Sequence, residues 1–308
     1  MPKRAKRVSL RALEKALLRW YRSLPVRRAH RAWMKTIAEE PTIDAMLRGK
    51  GDYRTRHLQS YLHRRWGAAE KLAVIQAHVT FLQQTVPAHY HEMLYGQPNA
   101  EYGTAEASGP GIELMAWSTP AQEWKLLLIR AQHNKEGELQ LSLRDGADRE
   151  VYFLVFSIGL TRHAPHQRVL YVGCVQGARP EQGGTELINA FYKQHHGLRA
   201  QGFLMTALYA LAEVFEIPHL YGIADGYTIN SRYRAKIKTS YDTFWEECHG
   251  ERQLSGWYRL PEQEVLRSVD TVKSKHRSAF RKREAWRESA RAELVAALRA
   301  LRSTSVSR

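Results

Sequence analysis

The sequence is poor in cysteine, has no long apolar run and carries almost no acid near its start. Two cysteines, Cys174 and Cys248, in 308 residues are too few for a disulfide framework or a zinc site. No apolar stretch approaches the roughly 20 residues that cross a bilayer. The longest, 151–158 and 203–217, are of strand or helix length. The basic N-terminus has no apolar core or small-residue cleavage site behind it, so no secretory signal is read. These absences predict a cytoplasmic protein with reduced thiols. His163 and His166 flank Pro165 without a carboxylate or cysteine at ligand spacing, so no metal is assigned. Helix-turn-helix, zinc-finger and aromatic RNA-binding signatures are also missing, which leaves nucleic-acid binding resting on charge alone.

What is present is enough apolar residue for a core (44%, with 10% aromatic) and a net charge of +16. The charge is uneven. Residues 1–35 hold 12 Lys/Arg against Glu14, a net +11, and residues 262–308 hold 12 against 6 acids, a net +6. The 226 residues between them are close to neutral. Such ends attract polyanions, with an anionic membrane surface as the first expectation and nucleic acid as the weaker one. Leu10, Leu13, Leu17, Trp20, Tyr21 and Leu24 recur at helical spacing within a helix expected over 8–36, broken at Pro25. Its stripe, with Trp20 and Trp33, could lie on a membrane with the arginines toward head groups, or dock on the body.

Four regions follow from the patterning: a basic helical arm (1–40), a helical region packed on the body (41–110), an α/β body (111–261) and a basic helical tail (262–308). Helices are predicted over 54–66 and 68–84, with His78 near the apolar stripe of the second. The Gly- and Pro-rich stretch 87–110 marks the boundary before the body. From Ile112 the period shifts toward two. Strands are predicted at 126–129, 139–143, 151–158 and 169–175, with turns at Glu136-Gly137 and Asp145-Gly146. Residues 185–194 form a short helix with Thr185 as candidate N-cap. An apolar helix over 203–215, a strand at 220–224 and a last strand at 256–260 complete an α+β, mostly antiparallel body. In the tail, Phe280, Trp286, Leu294, Leu298 and Leu301 are the sparse apolar positions.

The stretch 195–245 holds the candidate site. The turn Arg199-Ala200-Gln201-Gly202 opens the apolar helix, and a helix N-terminus offers free N–H groups and partial positive charge to a phosphate. Gly202 admits close approach, and Arg199 can clamp an oxygen pair. His195-His196 beside Lys193 reads as a base, as a phosphate-facing cluster or as a polar loop capping the helix, and Cys174 as a buried structural thiol.

Residues 198–225, LRAQGFLMTALYALAEVFEIPHLYGIAD, resemble the coenzyme A motif of the GCN5-related N-acetyltransferase fold, although Leu204 stands at the motif's second glycine and the helix 185–194 intervenes. Asn230, a helix with Tyr241 and a closing strand then follow in that superfamily's order. The resemblance implies an acetyltransferase-like body that binds acetyl-CoA or acyl-CoA through Arg199, Gln201, Gly202 and Phe203. It also implies Tyr241 as the acid that protonates the leaving thiolate; a phenol near pKa 10 suits that task.

A second resemblance spans residues from about 75 to 280. YVGCVQG (171–177), FYKQHHGLR (191–199), SYDTFWEECHG (240–250) and GWYRLP (256–261) are similar, in order and spacing, to the bacterial VirK/YbjX family. Where that family reads G-V-S-N and then histidine, this chain has Gly222-Ile223-Ala224-Asp225-Gly226-Tyr227. The resemblance implies a role in virulence, envelope integrity or resistance to cationic antimicrobial peptides. The expectation is an acyl-CoA-dependent acyltransferase at the inner membrane face, with a small molecule or lipid as acceptor. A non-catalytic envelope-stress protein is the alternative, and a nucleic-acid-binding protein the second.

Overall fold

The computed structural model describes residues 14, 17–18, 20–21, 24–40, 43, 53–96, 109–132, 135–161, 167–229 and 240–302. Asn230, His163, His166 and all of the stretch 97–108 lie outside them. Among the described residues, eight strands form one sheet in the order β1-β2-β3-β4-β5-β6-β8-β7. They are β1 (Ile112–Ser118), β2 (Glu123–Arg130), β3 (Leu139–Asp145), β4 (Glu150–Leu160), β5 (Arg168–Gly177), β6 (His219–Ile223), β7 (Glu251–Arg252) and β8 (Trp257–Leu260). Strands β1 to β5 are an antiparallel meander, and β5 to β6 is the parallel pair. A parallel pair needs a crossover. It is supplied by α4 (Gly184–Gln194) and α5 (Ala200–Val214). The remaining helices are α1 (Arg27–Glu39), α2 (Ala68–Thr85), α3 (Ala88–Tyr95), α6 (Tyr241–Glu247) and α7 (Arg277–Ala300). The chain is therefore α+β with a mixed sheet and helical N- and C-terminal regions. No helix among the described residues is long and apolar enough to cross a membrane.

The four strands read from periodicity are present, each longer by a residue or more at one or both ends. Strand β1 was missed because its alternation is broken: the register shifts between Glu113 and Met115, so Leu114 and Met115 are both buried. The expected helix over 54–66 is instead a 3-10 turn, Tyr53–Leu58, followed by irregular chain. On an α-helix Leu58 would sit about 200° round from Arg56, yet both are buried. Arg56 grips the carboxylate of Glu138 beneath the sheet, and the Leu62 amide is drawn to the carbonyl of Lys135. Thr185 is not the cap of α4; Gly183, in the left-handed region at φ 74°, holds that position.

One apolar core joins Trp33 and Ile37 of α1, Leu72 and Ile75 of α2, the sheet, all of α5's inner side, and Leu294 and Leu298 of α7. Trp33 is 3% exposed, so it belongs to this core and cannot share a membrane-facing stripe with Trp20. The tail is likewise docked. Phe280, Leu294, Leu298 and Leu301 are buried, and Trp286 packs on Trp117, Phe203 and His195.

Candidate functional site

The parallel pairing of β5 with β6 ends at Val172 opposite Gly222. Strand β5 runs five residues further, to Gly177, paired only with β4. The parting coincides with a bulge: Val155 opposes Cys174 and Phe156 opposes Val172, leaving Gly173 without a partner in the register. A side chain at Gly173 would collide with the carbonyl of Glu136, so only glycine lets the β2–β3 turn close over the bulge.

Helix α6 fills the side of β5 that β6 has left. Its seat is dictated by Gly222 and Asp225. A side chain at Gly222 would strike the Trp245 ring, so the glycine lets that indole lie against β6, with its N–H donated to the Ile223 carbonyl at 2.9 Å. Asp225 accepts from the Tyr241 amide at 2.9 Å and from the Ser240 hydroxyl at 2.7 Å. Its own amide donates to Asp242 at 2.7 Å. Ser240 caps the helix by accepting from the Thr243 amide.

This clasp delivers Tyr241 to β5. Its hydroxyl accepts from the Val175 amide at 3.1 Å and donates to the Cys174 sulfur at 3.2 Å. Burial, then the charges of Cys174 and Glu136, hold the phenol well above its ordinary value, so it is a proton donor across the physiological range. Tyr152 of β4 stands nearby. Burial raises it to about 12, Cys174 adds to this and Arg199 opposes it, so its phenol lies within electrostatic reach of both.

The Arg199 turn opens α5, as expected, with Arg199 at the N-cap. Its guanidinium, half exposed, pairs with Glu247 of α6 at 2.6 Å. Arg199 and Gly202 line a groove of about 840 Å³ shared with Arg267, Arg283 and Arg287, facing Glu247 and Glu284. A Cβ on Gly202 would meet only Leu198, at 3.9 Å, so the turn is open. Gln201 is partly exposed and is not among the residues that line the groove. Phe203 departs from the expected role. Its side chain is fully buried among Trp117, Phe191 and Trp286, and its amide is already donated to Arg199, so it offers nothing to a ligand.

His195 is buried rather than an exposed base, and it stands at the C-cap of α4. It is 1% exposed; Nε2 accepts from the Trp117 indole at 2.8 Å and Nδ1–H donates to the Phe191 carbonyl at 2.8 Å. Burial, helped by His196, lowers it to about 4, so it is a neutral core group. His78 has the same character. Its Nδ1 accepts from the Ile158 amide, and burial lowers it to about 4. Among the described residues no cluster of His, Cys, Asp or Glu has the arrangement of a metal site.

Sequence reasoning did not select Tyr152, Asp225, Arg267, Arg283 or Arg287 for the site. Asp225 alone had a local signal, a capping residue at a strand end ahead of Ser-Tyr-Asp-Thr. The arginines arrive from a distant part of the chain and had none.

Two relatives are uncharacterised proteins of Haemophilus influenzae. One is 30% identical over 154 residues, covering 48% of this chain and 48% of the relative. The other is 28% identical over 187 residues, covering 56% of this chain and 61% of the relative. The chain thus spans about half to three-fifths of the curated relatives it matches. A family model described as a protein of unknown function, DUF535, matches residues 9–296. With nearly the whole chain inside that match, the protein belongs to the DUF535 family, which is the VirK/YbjX family.

Proposed function

We propose that the protein is an acyltransferase-like enzyme that takes its acyl group from acetyl-CoA or a longer acyl-CoA. The observation that carries this reading is the parting of β5 from β6 after Val172, with the Tyr241 hydroxyl of α6 held on the Val175 amide in the split. The Arg199 groove suits the phosphates of coenzyme A, since guanidinium groups bind phosphate oxygens in pairs. Glu247, which holds Arg199, lies six residues after Tyr241 on α6, about 9 Å along the axis at 1.5 Å per residue. The phosphate and thioester ends of one ligand would therefore meet Arg199 and Tyr241 respectively.

In the reaction, an acceptor nucleophile on a small molecule or lipid attacks the thioester carbonyl. The carbon–sulfur bond breaks as Tyr241 donates its proton to the departing thiolate, and the proton that the acceptor loses on forming its new bond to the acyl carbon restores the phenol, so that the products are the acylated acceptor and the free thiol. The burial that raises the phenol also raises a thiolate formed beside it, which keeps the transfer close to balanced. Such an activity would serve the envelope integrity and peptide resistance associated with VirK/YbjX proteins, with the chain peripheral on the inner membrane face. A second reading is a binding module without turnover, favoured by the complete engagement of the Tyr241 hydroxyl.

Isothermal titration with acetyl- and long-chain acyl-CoA tests this. The wild type is expected to bind, and Arg199→Ala to weaken binding at least tenfold. Tyr241→Phe should retain binding and lose acyl transfer. A wild type that binds neither donor sinks the proposal, and binding without transfer to amines or hydroxyls favours the module.

A further inference from the structure

We propose that the cleft beside Trp66 binds a small organic anion with an aromatic body. The cleft encloses about 570 Å³, inside the range of roughly 300–1,000 Å³ in which small ligands are held. Among the described residues it shares no lining side chain with the Arg199 groove, so this site is independent of the acyl-CoA reading.

The charge of the cleft has one sign. Arg64 and Lys71 line it together with His57 and His63, and no carboxylate is among the described lining residues. Glu70, next to Lys71 in sequence, is turned to the Gly67 amide at 2.7 Å. Lys71 is held in place, its ammonium donating to the Gln59 carbonyl at 2.7 Å. Guanidinium and ammonium groups make charge-assisted hydrogen bonds to a carboxylate or phosphate, and these are the strong ones.

The aromatic half of the ligand is set by the wall. Trp66 is half-buried and lines the cleft. Its ring lies edge-on to Tyr171 at 5.2 Å and against His63 and Trp257 at 5.4 Å each. His63 in turn stacks on Tyr227 at 5.1 Å and on Trp257 at 5.4 Å, and its Nδ1 accepts from the Arg65 amide at 3.2 Å. Rings fixed in this way are preorganised to pack against a planar ligand, which lowers the cost of binding. Leu24, Leu58 and Ile229 supply the apolar remainder. His57 and His63, 0% and 2% exposed, place polar edges among them. Apolar walls with a few fixed polar groups are the composition of a small-molecule site. The concave shape fits one small ligand better than a polymer, which needs a track of phosphate contacts.

The test is isothermal titration of the full chain with three ligands of one shape: indole-3-acetate (anion), indole-3-acetamide (neutral) and tryptamine (cation). Indole-3-acetate is expected to bind and to raise the melting temperature, as a ligand of the folded state must. The amide should bind at least tenfold more weakly, and the amine more weakly still. Ser60 and Arg64 are exposed residues of the lining. Ser60→Glu should cut the affinity for indole-3-acetate at least tenfold, and Arg64→Gln several-fold, both at an unchanged melting temperature of the unliganded protein. No binding of indole-3-acetate overturns the proposal. Equal affinity for the amide or the amine, or undiminished binding by Ser60→Glu, does the same.

Discussion

Tyr241 donates its hydroxyl hydrogen to the sulfur of Cys174 at 3.2 Å, joining the first residue of α6 to the bulged part of β5. The same oxygen accepts from the neighbouring Val175 amide. One phenol thus occupies the place where β5 has lost its parallel partner.

Tyr241→Phe keeps the ring and removes both bonds, leaving the buried Val175 amide unsatisfied. An orphaned buried donor costs about 1–3 kcal/mol. Urea unfolding should show a lower midpoint by a corresponding amount with an unchanged slope.

Acid should destabilise the fold through His78 and His195. Both are lowered by burial to about 4 when folded, whereas an exposed histidine titrates near 6.5. Their stabilising contribution is complete above the unfolded value and is lost as pH falls from about 6.5 toward 4. Linkage gives a loss of about 2 kcal/mol per histidine between pH 7.5 and 5. Urea titrations at those pH values check it, and His195→Gln should flatten the dependence by about half.

Gly222→Ala drives a methyl into the Trp245 ring, and the indole cannot retreat without losing its bond to Ile223. Overpacking of this kind costs about 1–3 kcal/mol or more. Gly226→Ala, where a methyl would meet nothing within 4 Å, should change stability by less than about 0.5 kcal/mol. Paired thermal melts decide between them.

Glu247→Gln should release Arg199 while barely touching stability, because exposed ion pairs contribute little. If the groove takes phosphates, coenzyme A affinity should rise several-fold by titration, the opposite sign to Arg199→Ala. Equal affinity would show that Arg199 does not contact the ligand.

Removal of residues 277–308 should leave no soluble, cooperatively folding protein. Leu294 and Leu298 are fully buried, and α7 lies on α5 and β1. Burying a leucine is worth about 1.5–3 kcal/mol, and two such losses consume much of an ordinary domain's stability. Expression followed by thermal melting is the measurement.

The regular elements were legible because their patterns are local. Val151–Ile158 and Val169–Val175 carry the apolar content of buried strands, and 68–84 has helical spacing. The site was legible in its parts: the Arg199 turn and the Tyr241 segment each have a sequence signal. What failed was judgement about side chains whose surroundings come from elsewhere. His195 and His196 look alike in sequence, yet one is buried between indoles and the other is exposed. Phe203 beside a glycine turn looks available until Trp117 and Trp286 close on it.

By itself the sequence determined the α+β class, the near-neutral body between basic ends, and the order of strand, turn, helix and strand around Gly202. Those follow from periodicity and composition, which act over a few residues. Only the tertiary structure decided that β5 parts from β6 at Gly173, that Tyr241 fills the gap, and that the basic C-terminal helix is docked on α5 and β1. These depend on which distant backbones and side chains meet. Such meetings are set by register and close packing, and a local pattern does not encode them.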